Sequence, residues 1–222
     1  MNFREWEKFY YKILKDFGFS EKSDARAAEI LNELLKPADA GILRKKIEGR
    51  RANVYGAGPS LEKLKKFPRG VNIAADGVTS FLLEQDIIPD IIVTDLDGKI
   101  IDLLRANREG SIAVIHAHGD NTAELKKYVR KFKNCIGTAQ CKPFGSLHNF
   151  GGFTDGDRAV FTAEHFKAKK IMLCGMDFHS EIGKYSFSKD SEAKRKKLCW
   201  AEKLINYLRR KSEVEITWLK SS

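Results

Sequence analysis

The chain has no closely spaced cysteines. Cys135, Cys141, Cys174 and Cys199 form neither a CxxC pair nor a zinc-ribbon spacing, which excludes a disulfide scaffold and a cysteine-ligated zinc module. No apolar run is long enough to cross a bilayer, and the amino terminus lacks the pattern of a secretory signal. We therefore expect no membrane partner and a reducing, cytoplasmic setting. No internal repeat, low-complexity tract or long linker is present, so a solenoid or a disordered array is excluded. There is no RNA-recognition or helix-turn-helix motif either, and no nucleic-acid partner is expected despite the basic charge.

What is there is charge. Among 222 residues, 40 are Lys or Arg and 30 are Asp or Glu, a formal net charge of +10 that favours anionic partners such as nucleotides and phosphorylated metabolites. Much of the excess lies in short runs at Lys63–Lys66, Lys126–Lys127, Lys167–Lys170 and Lys194–Lys197. Those runs fall on expected helices, where they read first as solvated faces and as cations at helix C-termini. Abundant Lys, Arg and Glu with little Gln also suits a thermophile.

In residues 1–48, Trp6, Phe9, Tyr10, Ile13, Leu14 and Phe17 recur at three- and four-residue spacing, and a second helical pattern follows over 23–35. This segment is expected to be a small helical N-terminal cap, with Pro37 ending its second helix and 45–51 forming a polar, basic approach to the core. From 49 to 222, apolar runs alternate with amphipathic segments, which predicts repeated βα units. Strands are expected at 52–55, 71–74, 91–94, 112–116, 134–138, 170–174 and 214–218, and helices from about Ser60, Gly77, Lys99, Thr122, Asp157 and Ser191. The fold class is α/β: a Rossmann-like, open, mostly parallel sheet with helices on both faces. The segment 139–154, rich in Gly and aromatics, is read as a long ordered loop of the kind that carries function.

Chemistry is concentrated where strands end. At Val54-Tyr55-Gly56-Ala57-Gly58-Pro59-Ser60-Leu61 a strand enters a glycine turn and a helix start, where backbone N–H groups can approach a phosphate. The third glycine and the ribose-binding acid of a dinucleotide site are missing, and Pro59 and Ser60 also fit simple capping. Asp76-Gly77 closes the next strand. Ile91-Ile92-Val93-Thr94 then leads to Asp95 and Asp97; on an extended segment, residues i and i+2 share a side, so both carboxylates are expected to reach one hard cation. His116-Ala117-His118-Gly119-Asp120-Asn121 contains a fragment of a zinc-hydrolase pattern, but Asn121 stands where a further histidine would be needed. A Mg²⁺ site formed by Asp95, Asp97 and Asp120 explains more of the sequence. In Phe150-Gly151-Gly152-Phe153-Thr154-Asp155-Gly156-Asp157-Arg158, Arg158 can clamp a phosphate or pair with a neighbouring acid. Asp177, after the strand at 170–174, is a further pocket candidate.

Several of these motifs, in this order, resemble known families. The Asp76-Gly77 turn followed by Pro89-Asp90-Ile91-Ile92-Val93-Thr94-Asp95-Leu96-Asp97-Gly98 resembles thiamine pyrophosphokinase, whose C-terminal β-sandwich is not expected here. The GxGPSL turn, the Ala-Asp-Gly turn, Thr-Asp-Leu-Asp-Gly, His-Ala-His-Gly-Asp-Asn, Gly-Gly-Phe-Thr-Asp-Gly-Asp-Arg and Gly-Met-Asp-Phe are together similar to the archaeal MptE-like family of 6-hydroxymethyl-7,8-dihydropterin pyrophosphokinases. Part of the pattern also resembles sialyltransferase-like enzymes that use nucleotide-activated sugars. Thiamine and nucleotide-sugar transfer are therefore kept as alternatives.

The MptE-like resemblance implies Mg²⁺-dependent transfer of diphosphate from ATP to the pterin hydroxymethyl group, with AMP released, in methanopterin or folate synthesis. It implies Asp95, Asp97 and Asp120 on the metal, and Asp76, Asp120 and Arg158 in catalysis. Gly56, Gly58, Pro59, Ser60 and Asp177 would contact ATP, and Asn121, Phe144, His148, Asn149 and Phe153 would contact the pterin. It leaves room for a homodimer.

Overall fold

The structure is a computed structural model that describes residues 1–187 and 191–219. Its frame is one sheet of eight parallel strands in the order β6-β5-β4-β3-β2-β1-β7-β8. In chain order the strands are β1 Arg51–Tyr55, β2 Val71–Ala75, β3 Ile91–Thr94, β4 Ile112–Ala117, β5 Cys135–Ala139, β6 Leu147–His148, β7 Lys170–Cys174 and β8 Glu215–Trp218. All seven expected strands are present. The eighth, β6, is a two-residue edge strand within 139–154 that is too short to give a period.

Around the sheet lie α1 Phe3–Phe17, α2 Glu21–Leu34, α3 Gly41–Ile47, α4 Val78–Glu84, α5 Ile100–Arg108, α6 Thr122–Tyr128, α7 Asp155–His165 and α8 Ser191–Lys211. Parallel strands covered on both faces read as continuous apolar runs, and β3 and β4 are buried along their whole length. Side chains alternate between faces. Val54, Ile73, Ile91, Val93 and Val114 meet α1, α3, α7 and α8 in one core. On the other face, Ile92, Ala113 and Ile115 meet α2, α5 and α6, while Tyr55 and Ala74 meet α4.

The first two helices are placed by the same logic. In α1 an Asn2–Glu5 capping box fixes the start, Gly18 at φ 66° ends it, and Trp6, Tyr10 and Ile13 form one buried stripe. Each such side chain contributes roughly 1.5–3 kcal/mol of burial. Because α1 packs on one face and α2 on the other, the turn between them crosses above the strand ends. Helix α3 lies where a polar approach was expected; Leu43 and Ile47, four residues apart, are buried, Ile42 packs partly against the same core, and Arg44, Lys45 and Lys46 make the remainder basic.

Val54 of β1 pairs with Ile73 of β2 on one side and Leu173 of β7 on the other. The chain therefore leaves β1 in one direction across the sheet and later returns to its opposite flank. In an open α/β sheet such a switch point opens a crevice beyond the carboxyl ends of the strands, and ligands bind there.

Candidate active site

A cleft of about 390 Å³ runs along those carboxyl ends, from the turns after β1 and β7 to the end of β5. Its switch-point end is built by two turns packed edge to edge. The Gly56 and Gly58 N–H groups donate to Cys174 O and Gly175 O, each at 2.8 Å. Neither glycine has room for a side chain: a Cβ on Gly56 would lie 2.9 Å from Gly175 O, and one on Gly58 would lie 2.5 Å from an Asp177 carboxylate oxygen. Pro59 opens a short 3₁₀ helix, Pro59–Lys63. Asp177 caps it, accepting from the Ser60 N–H at 2.7 Å and from the Ser60 hydroxyl at 2.8 Å. Ser60 and Asp177, both expected on the nucleotide, thus hold one another, and the glycine turn offers the cleft a close backbone wall.

The middle of the cleft is acidic. Asp76, Asp95 and Asp155 each present a carboxylate oxygen, all within 4.8 Å of one another. Asp76 follows β2 with φ 44° and accepts from the Thr94 hydroxyl at 2.5 Å. Asp95 follows β3. The chain then bends at Leu96, φ 71°, whose N–H donates to the Thr94 oxygen at 2.8 Å. A non-glycine residue at positive φ is a strained position of the kind found at functional sites. This bend breaks the extended geometry from which a shared side for Asp95 and Asp97 was expected. Asp97 is exposed at the cleft mouth, and so is Asp120. The carboxylates the structure brings together around Asp95 are those of Asp76 and Asp155.

Asp155 comes from the first turn of α7. The Thr154–Asp157 capping box explains why Asp155 faces the cleft: Asp157 accepts from the N–H groups of Phe153 and Thr154 at 2.6 and 2.7 Å and is fully buried. Asp155 is left to face Asp76 and Asp95. Buried Arg158 donates to Asp155 at 3.0 Å, which is the neighbouring-acid pairing of the two readings above. His118 Nε2 lies 3.3 Å from Asp95 Oδ2.

The electrostatics of the three carboxyls differ. Burial, and then the Asp95 charge, push Asp76 up to about 7. The same two causes raise Asp155 well above the usual carboxylate range. Asp95 is the opposite case: burial raises it, but the hydrogen bond and charge of His118, followed by Arg158, outweigh this and hold it at about 2. Three like charges this close cannot all ionise without a cation between them. Hard oxygen donors at this spacing fit a small divalent cation.

The histidine segment is a brace. Thr138 Oγ1 donates to Ile115 O at 3.2 Å, so it accepts from His116 Nδ1 at 3.0 Å; His116 is buried and its pKa is driven well below its ordinary value by burial. Asn121 donates to Asp95 O and His116 O, both at 2.8 Å, and accepts from His118 N–H at 3.1 Å. It ties the ends of β3 and β4 together and is not part of the cleft wall.

The residues expected on the pterin divide in the same way. Phe144 is exposed away from the cleft, and His148 in β6 stacks on Phe150 at 5.5 Å. Asn149 donates to Ala139 O at 2.8 Å and Gln140 O at 3.0 Å, and accepts from Gly151 N–H at 3.0 Å. Of the five residues expected on the pterin, Phe153 alone lines the cleft. Asn149→Ala is therefore expected to cost about 2–4 kcal/mol of stability by leaving loop carbonyls and an N–H unpaired, read as a lower midpoint in thermal denaturation. An unchanged midpoint together with weakened ligand binding would return Asn149 to the cleft.

Other cleft residues carry little sequence signal. Phe19 and Asp24 arrive from the α1–α2 region, Gln140 from the end of β5, and Lys194 and Lys197 from α8. Only the lysine run is visible in sequence, as a charged helix face.

An acidic, glycine-walled crevice at the switch point of an open parallel sheet defines a Rossmann-like α/β protein built to hold a ligand beyond its strand ends. The chain belongs to the MptE-like family: the family described as 6-hydroxymethylpterin diphosphokinase MptE-like matches residues 26–183. Similar curated proteins are the 6-hydroxymethyl-7,8-dihydropterin pyrophosphokinases of Methanocaldococcus jannaschii and Methanothermobacter thermautotrophicus. The first is 48% identical over 97% of this chain and 99% of its own length. The second is 46% identical over the same shares of the two chains. Among solved structures, the MAf glycosyltransferase from Magnetospirillum magneticum AMB-1 covers 88% of this chain and 38% of its own, at 14% identity and a TM-score of 0.47.

Proposed function

We propose that the protein is an ATP-dependent diphosphotransferase that passes diphosphate to the hydroxymethyl group of 6-hydroxymethyl-7,8-dihydropterin and releases AMP, acting in the cytoplasm in methanopterin or folate synthesis. Near full-length likeness to relatives named for this activity supports the reaction. The single observation that carries it to residues is the Asp76–Asp95–Asp155 group at the centre of the cleft.

The acceptor oxygen must attack the β-phosphorus in line while AMP departs, so the reacting groups have to be aligned and their negative charge offset. The Gly56–Gly58 turn walls the nucleotide end. Lys194 and Lys197 line the same cleft and supply positive charge to the phosphates. Asp76, Asp95 and Asp155 would hold Mg²⁺, which when bound neutralises phosphate oxygens and helps orient the diphosphate. Arg158, committed to Asp155, keeps that carboxylate in place. Among the described residues, no helix is long and apolar enough to cross a membrane.

The test is to supply Mg-ATP with 6-hydroxymethyl-7,8-dihydropterin, thiamine or a sugar acceptor and to measure AMP. Release with the pterin alone is the expected result. AMP formed only with thiamine, or none with any acceptor, would remove the proposal.

A further inference from the structure

At the end of the cleft opposite the glycine turns, one polar side chain is buried without a protein partner. Gln140 is 5% exposed, lines the cleft, and among the described residues its Oε1 meets no hydrogen-bond donor. A buried acceptor left unpaired is destabilising and calls for an explanation. Relaxation does not supply one, because its backbone is pinned from two sides: Gln140 O accepts from Trp6 Nε1 at 2.8 Å and from Asn149 Nδ2 at 3.0 Å.

We propose that Gln140 recognises the ring of the acceptor by pairing its carboxamide with the pyrimidinone edge. The inference rests on the pterin reading above and deepens it. A carboxamide offers one acceptor and two donors, and the ring edge offers an N–H beside a carbonyl, so two parallel hydrogen bonds satisfy both groups.

The position fits. β5 is the fourth strand from β1 in the sheet; at about 4.8 Å per strand the two ends of the cleft lie roughly 19 Å apart. The acids stand between them, where diphosphate would pass from a donor at the glycine turns to a hydroxyl on the far side. The same cleft also carries rings that suit a flat ligand. Phe19, 36% exposed at the α1–α2 turn, leans on buried Phe153 with centroids 6.5 Å apart. Asp24 is fixed there by the Tyr10 hydroxyl and the Gly119 N–H, each at 2.8 Å. This assigns the turn above the strand ends to the acceptor.

The experiment measures the dissociation constant of 6-hydroxymethylpterin, by quenching of its fluorescence, alongside that of a non-hydrolysable ATP analogue. In Gln140→Leu the pterin constant is expected to rise about 10- to 100-fold, since the site loses paired hydrogen bonds. The ATP-analogue constant should stay within twofold, and the melting temperature of the ligand-free protein should hold or rise, because an unpaired buried acceptor has been removed. Gln140→Met, which keeps the side-chain length, should give the same split if the leucine variant does not fold. Wild-type protein that binds pterin while both variants bind it equally well would overturn this inference alone. Wild-type protein that binds no pterin removes the functional reading and this inference with it.

Discussion

Asp95→Asn is expected to lower the rate of AMP formation by about three orders of magnitude while leaving the fold intact. Asp95 is the carboxyl that the cleft keeps ionised: His118 lies 3.3 Å from it, and its pKa is held at about 2, while burial and the Asp95 charge raise Asp76 and Asp155. An asparagine keeps the shape but removes the fixed charge, and it turns an N–H₂ toward a neighbour or a phosphate oxygen that needs a cation. A thousandfold loss corresponds to about 4 kcal/mol of transition-state stabilisation at 1.36 kcal/mol per tenfold, the scale expected when charge stabilisation at a phosphoryl centre fails.

Stability separates this from unfolding. Asp95→Asn gives up the favourable His118 and Arg158 interactions that hold its pKa low, so the melting temperature without added Mg²⁺ should fall modestly near neutral pH, with circular dichroism still reporting the native fold. Added Mg²⁺ should stabilise the wild type by mass action and the variant far less. Turnover of Asp95→Asn within tenfold of wild type, with correct folding by circular dichroism, would remove Asp95 from the reaction.

The sheet was legible in the sequence because a fully buried parallel strand leaves a continuous apolar run, and the runs around Val54, Ile73, Ile92, Val114 and Leu173 could form little else. Helix α3 was not, since Ile42, Leu43 and Ile47 are too few apolar positions in a short basic segment to set a period. The acids were legible as a population at strand ends but not as a set. One residue, Leu96 at φ 71°, changes the direction in which Asp97 leaves the strand, and no propensity announces that bend. Asp155 and Asp157 look alike in the string Thr154-Asp155-Gly156-Asp157. Only the capping geometry decides that Asp157 is spent on Phe153 and Thr154. Asp177 and Ser60, 117 positions apart, read separately as two candidates for a ligand. Gln140 carried no signal at all, because an unpaired buried amide is a property of surroundings contributed by Trp6, Asn149 and the α1–α2 turn.

Gly58→Ala is expected to be strongly damaging at the donor end, and space is the reason. Gly58 has φ −76°, a conformation any residue adopts. Its Cβ, however, would lie 2.5 Å from an Asp177 carboxylate oxygen, 2.7 Å from Gly175 O and 2.8 Å from Asp177 Cβ. The carbonyl belongs to backbone that already accepts the Gly58 N–H, so the β1 and β7 turns must separate and Asp177 must leave Ser60. Overpacking costs about 1–3 kcal/mol and each lost charge-assisted hydrogen bond about 1.5–3 kcal/mol. With both Ser60–Asp177 bonds lost, a net loss of at least about 4 kcal/mol is expected, which lowers the melting temperature of a chain this size by at least about 8 °C. Because the displaced turn walls the proposed nucleotide end, KM for ATP should rise at least about tenfold, while pterin affinity at the proposed Gln140 end changes little. Gly49→Ala supplies the contrast. Gly49 has φ 68° with nothing within 4 Å of its would-be Cβ, so its replacement carries conformational strain of about 1–2 kcal/mol and should leave both substrate constants alone. If Gly58→Ala behaved like Gly49→Ala, the two turns would be free to part, and the nucleotide would have to be held elsewhere along the strand ends.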